Sequence, residues 1–248
     1  MRYQRAVERL RMLAEACEQT RRVPVDEPFL REAYVFGDLT AGADPVEVIE
    51  VAFVLNLPPE EVAWETQPPG TAWLVDFLRL DRGGVAYWWR SRGEPVGNHR
   101  IREPVRFWSL DGVEKGVLDA LAERRFGAVR EVAAYGDGSG RTAAQVQEEL
   151  RTALEHLRAV HGAYWERGWR RTHRGRGRYP ENHLWEAVAG YLDLLDTRAE
   201  QLQDLPSTRG EELQDLPGAR EEGLQGLPGA REEGDPGLPD VRGERAGE

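Results

Sequence analysis

Ala33-Tyr34-Val35-Phe36-Gly37-Asp38-Leu39-Thr40-Ala41-Gly42 is the stretch from which the fold can be read. Tyr, Val and Phe favour extended backbone, so a short strand runs from Glu32 to Gly37, where the glycine permits the turn that ends it and a run of small residues follows. Upstream, Val7, Leu10, Leu13, Ala14 and Cys17 share one face of a helix over Tyr3 to Arg22. Downstream, the segment VEVIEVAFVL (46–55) starts by alternating and becomes continuously apolar, as a strand buried on both faces does. Thr71 to Leu80 reads as a short helix, Gly84 to Arg90 and Pro104 to Leu110 as strands rich in Val, Tyr, Trp and Phe, and Val113 to Phe126 as a closing helix. The order α-β-β-α-β-β-α predicts an α+β domain over residues 1–132, with a mixed central sheet flanked by helices.

The strand, glycine and turn resemble the opening of the nucleotidyltransferase fold shared by polymerase-beta-like and minimal nucleotidyltransferases. In that family a second strand carries two carboxylates at i and i+2, which alternation places on one face to hold Mg²⁺ ions against a triphosphate. The glycine turn receives the anionic end of that triphosphate. The resemblance therefore implies Gly37, Asp38 and Gly42 as phosphate-binding candidates and Glu50, eleven residues beyond Asp38, as the first carboxylate. Its partner position holds Ala52, and the family's serine after the glycine is replaced by Asp38, which sets an anion where phosphate would be received. Asp44 before Pro45 and Asp111 just after the Pro104 to Leu110 strand are the remaining catalytic candidates, although Ser109 to Gly112 also reads as an ordinary strand-to-helix turn with Asp111 as its cap.

Blocks such as REAYVFGD (31–38), VAFVLNLPPEEV (51–62), TAWLVDFLRL (71–80), YWWRS (87–91) and VRFWSLDG (105–112) make the chain similar also to an actinobacterial family without assigned activity, so this second resemblance implies no function.

Past a Gly-rich linker at 133–141, Thr142 and Gln145 form a capping-box pair, and Val146, Leu150, Ala153, Leu157, Val160 and Tyr164 repeat at coiled-coil spacing. Pro180 suits the first turn of a second helix carrying Leu184, Val188, Tyr191, Leu195 and Leu202. Residues 142–203 are thus expected to form an antiparallel hairpin, a candidate surface for a homodimer or another protein partner. Its turn holds Arg167, Arg170, Arg171, Arg174, Arg176 and Arg178 with Trp165, Trp169 and Tyr179 interleaved, which makes it the candidate nucleic-acid surface. From 204 to 248 an eleven-residue Leu-Gln-Asp-Leu-Pro repeat carries too few large apolar groups to order itself, so a disordered tail is expected.

Charge has to be apportioned before it is used. The net −11 is concentrated late, since residues 200–248 hold 13 acids against five Arg. The remainder is near neutral and does not exclude a nucleotide ligand. One Lys among 33 basic residues reflects codon usage, which discounts Arg number as evidence for nucleic-acid binding. A lone Cys, a charged N-terminus and the lack of any apolar run near about 18 residues argue for a cytoplasmic protein without disulfide framework, leader or membrane span. Adjacent Trp88 and Trp89 must point to opposite faces of their strand, so at least one belongs to a core. The five histidines show no metal-ligand spacing, and no cofactor is expected.

The expected function is a nucleotidyltransferase-like binding or regulatory module that has lost transfer chemistry. An active Mg-dependent nucleotidyltransferase with Glu50, Asp44 and Asp111 rearranged as its carboxylates is the alternative. An RNA-binding protein using Arg167 to Arg178 is a further one, though nucleic acid is the less favoured partner.

Overall fold

Strand β1 (Leu30–Phe36) forms the middle of a five-stranded sheet ordered β3-β2-β1-β4-β5. The structure is a computed structural model and describes residues 1–23, 27–129, 142–175 and 178–203. Helix α1 (Tyr3–Thr20) precedes β1, and a four-residue helix α2 (Asp38–Ala41) follows it. The other strands are β2 (Ile49–Leu55), β3 (Val85–Ser91), β4 (Val105–Ser109) and the two-residue β5 (Gly112–Val113). Strands β1 and β2 are antiparallel, β2 and β3 parallel, and β1 and β4 antiparallel, so the sheet is mixed as expected. Helix α3 (Ala72–Leu78) makes the crossover between the two parallel strands, and α4 (Lys115–Ala122) follows β5.

Alternation along the strands builds two cores. Val35, Ile49, Val51, Phe53 and Leu55 point to the face covered by α1, whose Val7, Leu10, Leu13, Ala14 and Cys17 are all buried there. Phe36, Ala52 and Trp88 point the other way and meet Trp64, Ile101, Leu150, Ala153 and Leu194. Adjacent Trp88 and Trp89 separate between these faces, Trp88 lying 5.4 Å from the Phe36 ring and Trp89 5.5 Å from the Phe53 ring.

The second face is covered by α5 (Ala143–Ala163) and α7 (Pro180–Gln203), with a six-residue helix α6 (Arg167–Thr172) in the turn between them. Leu150 and Leu194 share a core while Tyr164 reaches Glu181, so the two long helices run antiparallel. The hairpin lies in the same compact unit as the sheet, Met1–Pro206. The expected linker at 133–141 and the repeat tail at 204–248 fall outside the described residues.

Three local expectations are corrected. The second helix turns Ala187, Gly190 and Leu194 inward, leaving Leu195 and Leu202 exposed, because Gly190 is the one position where its backbone can approach the Trp64 carbonyl closely. Thr142 does cap α5 by accepting from the Gln145 N–H at 3.1 Å, but the Gln145 side chain turns to Gly97 and Glu149 instead of closing a capping box. Asp111 caps no helix. It sits exposed in the β4–β5 turn, and α4 starts four residues later.

Candidate functional site

Where β1 and β2 end together, Phe36 stands opposite Glu50 and the chain turns through Gly37 at φ 71°. The backbone there lies so close to Glu50 that a Cβ on Gly37 would come within 1.7 Å of Glu50 Oε2. Only glycine fits both the dihedral and the contact. Gly37, Asp38, Thr40 and Glu50 line one side of a cleft of about 590 Å³, and Arg100, Arg102 and Glu103 from the β3–β4 connection line the other. Burial raises the Glu50 carboxyl above its ordinary range; the Arg100 guanidinium opposes this, while the Asp38 carboxylate adds to it. Asp38 turns its own carboxylate to the Glu47 N–H at 3.1 Å and so braces the turn.

The remaining sequence candidates lie apart from this cleft lining. Gly42 ends α2 in the left-handed region with the Phe126 ring against it. Asp44 accepts from the Tyr3 N–H at 3.3 Å and pairs with Arg124 at 2.6 Å, which holds its carboxyl below the usual range. Asp111 belongs to the opposite end of the sheet, because Ser109 pairs with Glu32 whereas Val105 pairs with Val35 beside the cleft. Glu50, Asp44 and Asp111 therefore do not converge. Ala52, the same-face neighbour of Glu50, is fully buried among Phe36, Trp64, Leu150 and Leu194. Among the described residues no three His, Cys, Asp or Glu side chains gather as a cation site. The residues present do not fit a two-metal centre, which needs clustered hard oxygen ligands.

Of the Arg cluster, Arg167, Arg171 and Arg174 are exposed. Arg170 pairs with Glu181 at 2.9 Å over the Tyr164 ring, Arg178 pairs with Glu186, and Arg176 lies outside the described residues.

Two groups that residue spacing does not reveal position the cleft. The first joins distant segments at one carboxylate: Asp193 of α7 accepts from Trp64 Nε1 at 2.6 Å and lies 2.7 Å from His99 Nε2. These bonds, the one from His99 foremost, hold the Asp193 carboxyl below its usual range. His99 lines the cleft while its Nδ1 is buried without a partner. The second group is a buried ion pair under the cleft loop. Arg90, 2% exposed, bonds to Glu149 of α5 at 2.7 Å and to the Pro95 carbonyl at 2.7 Å. Asn98 donates to Glu149 at 3.3 Å and accepts from the backbone N–H groups of Arg100 and Ile101, which fixes the start of the loop carrying Arg100 and Arg102.

Glu94 lies beside this pair, 4.0 Å from Arg90, and burial pushes its carboxyl up to about 7. The folded chain then binds more protons than the unfolded chain between the ordinary carboxylate range and pH 7, so this residue's contribution to stability is lost as pH rises through about 7. Glu94→Gln is expected to raise the unfolding midpoint at pH 8, on the order of 1 kcal/mol, and to have little effect at pH 4. Parallel melts at the two pH values check the difference.

Among curated proteins no similar sequence was found. A solved structure from Sulfolobus solfataricus, assigned as a nucleotidyltransferase, is 26% identical over 44% of this chain and 91% of its own, with a TM-score of 0.27. The model of a domain of unknown function, DUF7711, matches residues 1–200, and the chain belongs to that family.

Proposed function

We propose that this chain is a cytoplasmic nucleotidyltransferase-like module that binds a nucleotide without transferring it. The observation that carries this reading is Ala52. The strand position where the resemblance requires a second carboxylate is not merely apolar; it is sealed under the hairpin, so Glu50 has no same-strand partner on the cleft face. Arg100 and Arg102 supply the guanidinium donors that suit a phosphate ester. Glu50 is left as an acceptor for a sugar hydroxyl or base N–H.

The test is a thermal-shift screen of the full chain with each nucleoside triphosphate, with and without Mg²⁺, alongside incubation with labelled triphosphate. One or more nucleotides should raise the melting temperature equally with and without Mg²⁺, corresponding to about 2.7 kcal/mol at a hundredfold excess over Kd. The shift should vanish in Arg100→Ala/Arg102→Ala, and no label should be transferred. Mg²⁺-dependent transfer that disappears in Glu50→Gln would establish the active enzyme instead. Absence of any shift would remove the nucleotide reading.

A further inference from the structure

Helix α7 is apolar on two opposite sides. Ala187, Gly190 and Leu194 face inward, Gly190 so tightly that a Cβ there would lie 2.1 Å from the Trp64 carbonyl oxygen. Away from that contact, Trp185, Val188, Leu192, Leu195, Ala199 and Leu202 recur at alternating steps of three and four. Trp185 is 73% exposed, Leu192 49%, Leu195 38% and Leu202 60%. Alternating steps of three and four make the a/d seam of a coiled coil, here 18 residues or about 27 Å long. No charged residue interrupts it. A continuous apolar stripe of this kind on a helix already buried along its other side marks an association surface.

We propose that the stripe is a homodimer seam in which α7 of two copies pairs antiparallel. A two-fold axis between Leu192 and Leu195 makes the contact self-complementary. It sets Trp185 of one copy against Leu202 of the other, Val188 against Ala199, and Leu192 against Leu195, so every layer matches a larger side chain with an equal or smaller one. Parallel pairing would stack Trp185 on itself and Ala199 on itself, one layer overfilled and one under-filled, and close packing tolerates neither. Charge selects the same direction. Antiparallel pairing points the end of α7 in one copy at the turn of the other that carries exposed Arg167, Arg171 and Arg174. The sequence beyond α7, residues 204–248, has 12 acids against five Arg. This seam is independent of what the cleft binds.

Sedimentation of the full chain over a wide concentration range tests the proposal. The wild type should be dimeric, and Leu192→Asp monomeric throughout with an unfolding midpoint matching that of dilute wild type, since Leu192 is exposed in the monomer. Arg171→Glu/Arg174→Glu should weaken the dimer about tenfold at low salt and much less at high salt, as screened charges do. Oxidised Leu192→Cys/Leu195→Cys should give a covalent dimer whose peptide map joins position 192 to 195, the native Cys17 being buried. A wild type that stays monomeric, or a Leu192→Asp variant that still dimerises, overturns the seam. A 192-to-192 link overturns its direction.

Discussion

Replacing Arg90 by Met lowers the free energy of unfolding by about 3–5 kcal/mol, the range for removing one partner of a buried ion pair. Arg90 and Glu149 are 2% and 5% exposed, and Arg90 is the cation against which both Glu149 and the nearby Glu94 are set. Without it two carboxylates remain desolvated under the cleft loop. The deficit should be largest at pH 8 and shrink as the pH falls through about 7, where Glu94, pushed up by burial, takes up a proton and no longer needs the cation. Arg90→Met/Glu149→Leu should recover much of the loss, since an apolar pair of similar volume replaces a buried ion pair with little net change. Urea unfolding of the two single variants and the double variant at pH 8 and pH 5 measures this. A loss below about 1 kcal/mol in Arg90→Met would show that water reaches the pair, as it does at surface salt bridges. Because Asn98 reads the same Glu149 carboxylate, the variant should also loosen the loop bearing Arg100 and Arg102.

Gly190→Ala reverses the usual sign of its substitution. A glycine inside a helix is ordinarily worse than alanine by about 1 kcal/mol. At Gly190 the added methyl would stand 2.1 Å from the Trp64 carbonyl oxygen and 3.0 Å from its carbon, which are backbone atoms that no rotamer change can move. Overpacking of this kind costs about 1–3 kcal/mol. Gly162→Ala in α5 is the control: a Cβ there meets nothing within 4 Å, so that variant should gain a few tenths to about 1 kcal/mol. Denaturant midpoints for the pair should move in opposite directions. Displacing α7 would also shift Asp193 away from Trp64 and His99, so quenching of the Trp64 environment offers a second readout at the cleft wall.

Much of the fold is legible in local pattern. The helical face Val7 to Cys17, the strand ending at Gly37, the short helix after Thr71 and the two long hairpin helices each follow from periodicity and breakers, because a local rule decides each of them. Two-residue β5 is too short for any period to show, and the inward face of α7 is invisible for a different reason. Val188, Leu195 and Leu202 are the larger apolar residues, yet small Ala187 and Gly190 are the ones buried, since close approach of two backbones favours the absence of a side chain.

For the cleft, Gly37 and Glu50 follow from the resemblance to the nucleotidyltransferase opening, and the structure sets them against each other. Asp44 and Asp111 are the further carboxylates of the active-enzyme alternative, but the Arg124 pair holds Asp44 and strand register carries Asp111 to the other end of the sheet. His99, Asp193 and Trp64 meet across more than 90 residues, and no spacing rule joins them. Arg90 was hidden by composition: in a chain whose cations are almost all Arg, one buried Arg does not stand out from the rest.

By itself, then, the sequence determined the α+β order and the glycine turn, because each depends on a residue and its near neighbours, while the resemblance marked Ala52 as the position where a second carboxylate would be expected. Only the tertiary structure decided what fills the place of that carboxylate, which ion pair holds the cleft loop and which side of α7 is left outward. Those outcomes depend on which distant surfaces come into contact, and burial changes what each side chain does there: it seals Ala52, sets Arg90 against Glu149 out of water and raises the Glu50 carboxyl.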